Sequence, residues 1–570
     1  MDRSTKYDVT RGVSDVYIEA VSELSKAFRR QTTIKILVVV DGSVSLTEDT
    51  EGFGVGRIVR LLRESTVGCT RFEVDTARRD GDAGAPTYRN FRFDLVESGG
   101  VFESQAINNT AINVPIINKY DEVWCFGFNP GNLAGPDEDI THPGAQPTGD
   151  NELKVLTQWM NDRRGGLLAM GDHDYLGASM CHRIPRIRSM RRWTAAQGVP
   201  PIGGASQFNT ARRIDTNQPF TAGQMAGTDI IPFEVQEDSK PQRIDWVPWI
   251  AQQVNIFQIW QRPHPILCHP VYGPIDVMPD HPHEGWLFED SEIDLAAPLE
   301  VPTLAGDEYP TVSGNQPRPT LIAYGTTTPN PPFRLAKGPS PKKRFGMISV
   351  YDGHAANVGR VATDSTWHHW FDQNIDEIEA KGGENWAKIS RYFLNVATWL
   401  APPMPVTFCL AQDVLVSHFT YVGFQEYTPK SSVFDLGRAL YTELARHWGP
   451  CWVSNWVLEQ VRAVDTDFWA WLKDRLFWKD GIPVPGGDPC LSCPPFELIE
   501  LAVLGGMVRA TFPTAADIKA EIAKKSDRAV KVSPESLVKI VEEGVAIGLK
   551  ELRRTLARSI EEVRPLLRQG

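Results

Sequence analysis

The sequence predicts an α/β domain built on a parallel sheet, followed by a mainly helical region. Three observations lead there. A β-branched apolar run, Ile34 to Val40, stops at Asp41-Gly42-Ser43. Further apolar runs alternate with helically spaced segments as far as residue 176. Beyond residue 403 the apolar residues recur at steps of three and four, the period of a helix with one buried face.

Taken in order, Ile34–Val40 has the composition of a strand buried on both faces, and Ile58, Leu61 and Leu62 share one helical face within 55–62. Strands are expected at 71–75, 91–95, 121–128 and 166–170, with a helix at 151–162. Strands alternating with helices in this way imply a parallel sheet covered on both sides. From 177 to 340 proline, glycine and short polar segments dominate, which reads as a long loop-rich insertion folding over the active edge. Regular strands return at 344–350 and 359–364, a helix is expected at 384–400, and Ala401-Pro402-Pro403-Met404-Pro405 marks a boundary. The expected units are therefore 30–176 and 341–402 for the two parts of the α/β domain, 177–340 for the insertion, and 403–570 for the helical region.

A chain of 570 residues is too long for one core. Its net charge of −12 argues against general nucleic-acid binding. No apolar run approaches the roughly 20 residues that span a bilayer, and the polar start shows no secretory signal, so a cytoplasmic protein without membrane contact is expected. Eight scattered cysteines suit a reducing compartment better than a disulfide framework. Cys490 and Cys493 form one C-x-x-C, without the second pair a zinc site needs, and read as two loop cysteines.

In open α/β sheets ligands sit outside the carboxyl ends of the strands. The residues after each expected strand are Asp41; then Asp172, His173 and Asp174; then Asp352 and His354; then Asp364, His368 and His369. The insertion adds His264, His269, His281, His283 and Glu284. Eight of the twelve histidines fall in such segments, close to carboxylates, a donor set that zinc, iron or manganese uses.

A Gly-x-His turn after a strand, here Gly171-Asp172-His173, followed late in the domain by Gly359-Arg360-Val361 and then a histidine, resembles the class I glutamine amidotransferase-like superfamily. It is most similar to the trehalose-utilisation (ThuA-like) branch. The resemblance spans 30–176 and 340–400 and implies a flavodoxin-like sheet. In true amidotransferases the turn carries a nucleophilic cysteine; here His173 stands in its place, as in the ThuA-like branch, and Cys181 lies too far along the chain. Glutamine hydrolysis through a thioester is therefore not expected. His368 or His369 matches the family's late histidine, without the glutamate two residues on.

Three readings of these residues follow. In a metal-dependent hydrolase, Asp172, His173, Asp174, His281, His283 and His354 supply ligands to a divalent ion, and His173, Glu284, His368 and His369 are the catalytic candidates. In a catalytically silent binding or scaffold protein, the cleft senses a ligand. In a structural role, the same side chains cap helices and satisfy buried backbone groups. Arg183, Arg186, Arg188, Arg191 and Arg192 follow the turn and suggest an anion site, hence a small anionic substrate, or else a surface neutralised by the chain's own carboxylates. At the other end, Leu537, Val541, Val545, Leu549, Leu552, Leu556, Ile560, Val563 and Leu567 form one stripe. It must be buried by self-association through 533–568, by a partner helix, or by its own domain.

Overall fold

The computed structural model describes residues 32–49, 52–97, 114–129, 148–172, 176–193, 241–255, 258–279, 287–327, 343–420, 426–476, 495–523 and 533–567, together with residues 100, 197 and 424. The main sheet is formed by β1 (Thr32–Val40), β2 (Thr66–Val67), β3 (Thr70–Arg78), β4 (Glu122–Phe126), β5 (Gly166–Met170) and β6 (Asp245–Trp246). After a hairpin of β7 (Pro248–Asn255) and β8 (Gln258–Pro263), it is completed by β9 (Thr320–Thr327), β10 (Lys343–Tyr351) and β11 (Val361–Asp364). Its order is β2-β3-β1-β4-β5-β11-β10-β9-β6. The strands β3, β1, β4, β5 and β11 are parallel. Counted along the chain, these five run 2-1-3-4-5, the flavodoxin-like order, with its switch point between β1 and β4.

Alternation along β1 sends its side chains to two different cores. Ile34, Ile36, Val38 and Val40 belong to one, Leu37 and Val39 to the other. The second face is covered by α2 (Asp150–Asp162), the short turns α3 (Ala178–Cys181) and α4 (Ile187–Met190), and residues of 293–312. On the first lie α1 (Gly56–Glu64), α5 (Asp372–Lys381), α6 (Gly383–Leu400) and α7 (Pro403–Thr420). α6 and α7 meet at 109° across the expected boundary at 401–405. That bend turns α7 onto β1 and β3, so the C-terminal helices continue the sheet's own core.

The C-terminal region comprises α8 (Val433–Trp448), α9 (Pro450–Val464), α10 (Thr466–Leu476), α11 (Phe496–Ala523) and α12 (Pro534–Leu567). Trp448, Trp452 and Trp456 are buried in it, as core residues should be; Trp469 and Trp471 are half-buried, and Trp478 lies outside the described residues. α11 packs against α8 and α12 at backbone distance. A Cβ on Gly505 would overlap the carbonyl of Val433, and one on Gly506 the carbonyl of Gly544. Leu537, Val541, Val545, Leu549 and Leu552 of the stripe are buried on this bundle, so its first half is covered within the chain.

Several expectations change. Residues 91–95 form no strand: Phe91 and Phe93 instead anchor a loop, their rings 5.7 Å apart. The insertion is less loop-rich than its composition suggests, since it supplies β6, the β7–β8 hairpin and β9. Within 496–520 of α11 the chain is long and apolar enough to cross a membrane, contrary to the sequence expectation, yet most of its apolar part is buried among neighbouring helices. A helix enclosed by neighbours is apolar all round for the same reason as a membrane span. Cysteines 340 residues apart, Cys69 and Cys409, form a disulfide between the β2–β3 turn and α7. Sequence spacing gives no sign of a pair so distant.

Candidate functional site

At the carboxyl end of β5 the chain turns sharply, with the Asp172 amide donating to the Leu176 carbonyl at 3.2 Å. Gly177 takes φ +87°, and a Cβ there would come within 2.8 Å of the Gly127 carbonyl and 2.9 Å of the Gly171 Cα. Only glycine combines that left-handed conformation with so close a backbone approach. The turn delivers the Asp172 carboxylate, fully buried, next to the end of β11.

Two histidines meet it there. His368 Nε2 lies 3.3 Å from Asp172 Oδ2, and its Nδ1 faces the side-chain amide of Asn374 at 3.1 Å. With the Asn374 nitrogen so oriented, Nδ1 accepts and the ring proton sits on Nε2, which stands within ion-pair distance of the carboxylate without the alignment of a hydrogen bond. His369 Nδ1 lies 2.8 Å from Asp364 Oδ2. The same carboxylate also accepts from the Trp370 indole at 2.9 Å, the Tyr392 hydroxyl at 3.2 Å and the Thr366 amide at 3.3 Å. Adjacent residues thus engage different carboxylates, one from β5 and one from β11.

Arg191 completes the group. Its guanidinium is buried, donates to the Asp172 carbonyl at 2.5 Å and the Ser365 carbonyl at 3.3 Å, and lies 4.2 Å from the Trp193 ring centroid. Burial pulls its pKa down to about 10, against the opposing pull of Asp172, Cys181 and Asp364, so at neutral pH it remains a cation among these carboxylates. Such a centre can hold and move a proton between imidazole and carboxylate without bulk water.

The switch point lies two strands away. Asp41 Oδ1 accepts from the amides of Phe128 at 2.6 Å and Asn129 at 3.1 Å, tying the end of β1 to the end of β4. Burial pushes the Asp41 carboxyl up to about 6, even though both amides and the Arg79 charge work the other way. Phe53, Phe128, Trp367 and Phe371 roof this edge, with Phe128 and Trp367 stacked at 4.8 Å. The glycine-flanked segment around Phe53 therefore anchors a packed aromatic cap.

His354 does not join the group. β10 runs antiparallel to β11, so its end at Tyr351 pairs with Val361, at the opposite edge of the sheet from Asp364. There His354 is buried beside Asp352, and desolvation with the Arg360 charge keeps it neutral, its pKa well below the usual histidine value. This corrects the placing of His354 in a common ligand set with Asp172. His173 and Asp174, like His281, His283 and Glu284, lie outside the described residues, as do Cys490 and Cys493. Among the described residues no three His, Cys, Asp or Glu side chains are grouped to hold a metal ion.

The arginine run is engaged internally. Arg183 pairs with Asp150 at 2.8 Å, Arg188 with Glu308 and Glu300, and Arg192 with Glu292 at 2.7 Å. Buried Arg186 donates to the Glu308 carbonyl and to Asn161. Glu292, Glu300 and Glu308 come from a segment about 100 residues or more further on, which is why the run looks unpaired in the sequence. A cleft of about 550 Å³ beside Arg183, Arg188 and Glu300 already carries both signs of charge.

Asp364, Arg191, Tyr392 and Asn374 are the site residues whose roles the sequence did not show. Asp364 carried a signal in its place at a strand's carboxyl end, and Arg191 in the arginine run, where it was expected to meet an anion rather than backbone carbonyls. The fold and this edge define a flavodoxin-like α/β protein with paired Asp–His groups at its carboxyl ends. Comparison with family models, curated proteins and solved structures found no match for the chain.

Proposed function

We propose that this chain is a hydrolase working at the carboxyl edge of its sheet, with Asp172–His368 as its proton-handling pair. One observation carries the reading: His368 is aligned by Asn374 on one side and by Asp172, from the turn after β5, on the other. A carboxylate beside an imidazole raises its basicity, and Nδ1 becomes the accepting nitrogen a general base needs once the Asn374 amide turns away from it. Membership of the amidotransferase-like, ThuA-like group belongs to the same proposal, with His368 as the late histidine. So does a divalent ion, zinc, iron or manganese, held through His173 and Asp174 beside Asp172. The described residues alone do not make up its ligand set. Such an ion would supply an activated water. The substrate is a small molecule. Internal pairing of the arginines removes the main argument for its being anionic.

A second reading, a catalytically silent binding or scaffold protein, is favoured by the closure of the Asp364 hub, where four donors converge on a fully buried carboxylate. Protein purified without chelator, assayed for metal by mass spectrometry and against 4-nitrophenyl ester, amide and phosphate panels, separates the two. The hydrolase reading expects turnover that His368→Gln abolishes, with metal near one equivalent that His173→Ala releases. Folded wild-type protein with neither turnover nor metal would overturn it in favour of the silent form.

A further inference from the structure

The cleft of about 550 Å³ beside the arginine run lies within the size range of small-molecule sites, and none of its described lining residues belongs to the Asp172–His368 edge. His182, Arg183 and Arg188 line it from the run, and Leu299, Glu300 and Val301 from the turn 298–307. We propose that this cleft binds a zwitterion of the amino-acid class, a free amino acid or a short peptide, with its carboxylate on Arg183 and its ammonium on Glu300.

Arg183 is held in place but not used up. It donates through Nη1 to the Thr148 carbonyl at 3.1 Å and through Nη2 to Asp150 at 2.8 Å. Among the described residues its Nε–H and the second proton of each terminal nitrogen have no partner, and the side chain is 19% exposed. A guanidinium fixed in this way offers its spare donors to a carboxylate without first reorganising. The adjacent His182 supplies an acceptor. Its Nδ1 lies 2.6 Å from the Ala178 carbonyl, so the ring proton sits there and Nε2 keeps a lone pair. Burial, helped by the Arg183 charge, holds the His182 pKa below the ordinary histidine value, and the ring stays neutral.

Glu300 supplies the opposite charge. The Leu299 amide donates to the Gly306 carbonyl at 2.9 Å and the Leu304 amide to the Val301 carbonyl at 3.1 Å, a ready-made turn that carries Glu300 at 69% exposure. Its carboxylate reaches Arg188, but that guanidinium already has a partner in fully buried Glu308, which accepts from Nε at 3.1 Å and from Nη2 at 3.0 Å. The two guanidinium groups of Arg183 and Arg188 thus pair with three carboxylates, those of Asp150, Glu300 and Glu308. One surplus negative charge favours a ligand that brings an ammonium and works against a plain anion. The spare donors of Arg183 in turn favour a ligand that also brings a carboxylate. Half-buried Leu299 and buried Val301 give an aliphatic side chain its surface.

The test is calorimetric titration of the full-length protein with L-leucine and with the dipeptide Leu-Leu, which separate the two sources of this chemistry. The N-acetyl and amide forms of each, lacking one charge, are titrated in parallel. The expected result is binding of at least one zwitterion, with either capped form weaker by about tenfold or more. At its exposed position Glu300→Gln should cut the preference for the zwitterion over its N-acetyl form by about tenfold, and Arg183→Gln the preference over its amide form by as much. Each readout is a ratio of affinities within one variant, so it does not depend on the fraction of that variant that folds. No binding of either zwitterion at millimolar concentration would overturn the proposal. So would capped forms that bind as tightly as the zwitterion, or a ratio unchanged in either variant.

Discussion

His368 Nε2 and Asp172 Oδ2 stand 3.3 Å apart where the ends of β5 and β11 meet, with neither side chain open to bulk solvent. His368→Ala leaves the Asp172 carboxylate buried without its imidazole. Leaving a buried acceptor without its partner costs about 1–3 kcal/mol, and more when the acceptor is a carboxylate. Urea unfolding should show a loss of that order. In His368→Gln, whose amide can still donate to Asp172, most of the stability should return while hydrolytic turnover does not. Equal stability losses in the two variants would mean that donation to Asp172 is not what this site needs.

The four carboxyl groups of Asp41, Asp290, Asp372 and Asp413 are each pushed up to about 6, in every case chiefly by burial. Their folded pKa values lie above the unfolded ones, so between about pH 4 and 6 the folded chain holds protons that the unfolded chain has released. Stability contributed by these groups is therefore present below about pH 4 and lost as pH rises to about 6. For Asp41 the shift corresponds to about 3 kcal/mol. Asp41→Asn keeps an oxygen for the Phe128 and Asn129 amides, so it should reduce the slope of stability against pH in this window by about one proton. Urea midpoints measured from about pH 4 to 7 would show it; an unchanged slope would mean that Asp41 titrates normally.

Contact between α11 and α12 depends on having no side chain at Gly506 and Gly544. Gly506→Val should push the helices apart at a cost of about 3 kcal/mol, the upper end of overpacking penalties. Sliding α12 by a turn offers no relief, because Gly548 already lies just as close to the Ala502 carbonyl. Thermal unfolding of Gly506→Val and Gly544→Val should show lower midpoints; a change under about 1 °C in both would rule out the close approach.

Reduction of Cys69–Cys409 frees a loop of 340 residues. Chain entropy alone assigns about 6 kcal/mol to a closure of this length, an upper limit for the measured effect. Dithiothreitol should lower the unfolding temperature of wild-type protein and leave Cys409→Ser unaffected. Identical responses would show that the bond does not form in solution.

The parallel half of the sheet was legible because β-branched runs such as Ile34–Val40, buried on both faces, have one reading. Strand direction was harder: Lys343–Tyr351 has the same composition whichever way it runs. A usable signal was present, since the link 352–360 is shorter than the dozen or so residues a parallel crossover needs. At the site, Asp172 and His368 were visible as polar residues after strands. Their pairing was not, because it depends on β5 and β11 being neighbours. The partners of the arginine run were hidden for the same reason, as Glu292, Glu300 and Glu308 are brought in by tertiary packing alone.

The cover that α7 lays over β1 also sets an order of events in biosynthesis. Cys409 follows Cys69 by 340 residues, which a ribosome adding roughly 5–20 residues per second takes about 20–70 s to supply. For most of that interval α1 is the one helix available to this face of the sheet, and the rest of it must be shielded from its neighbours by something other than the nascent chain.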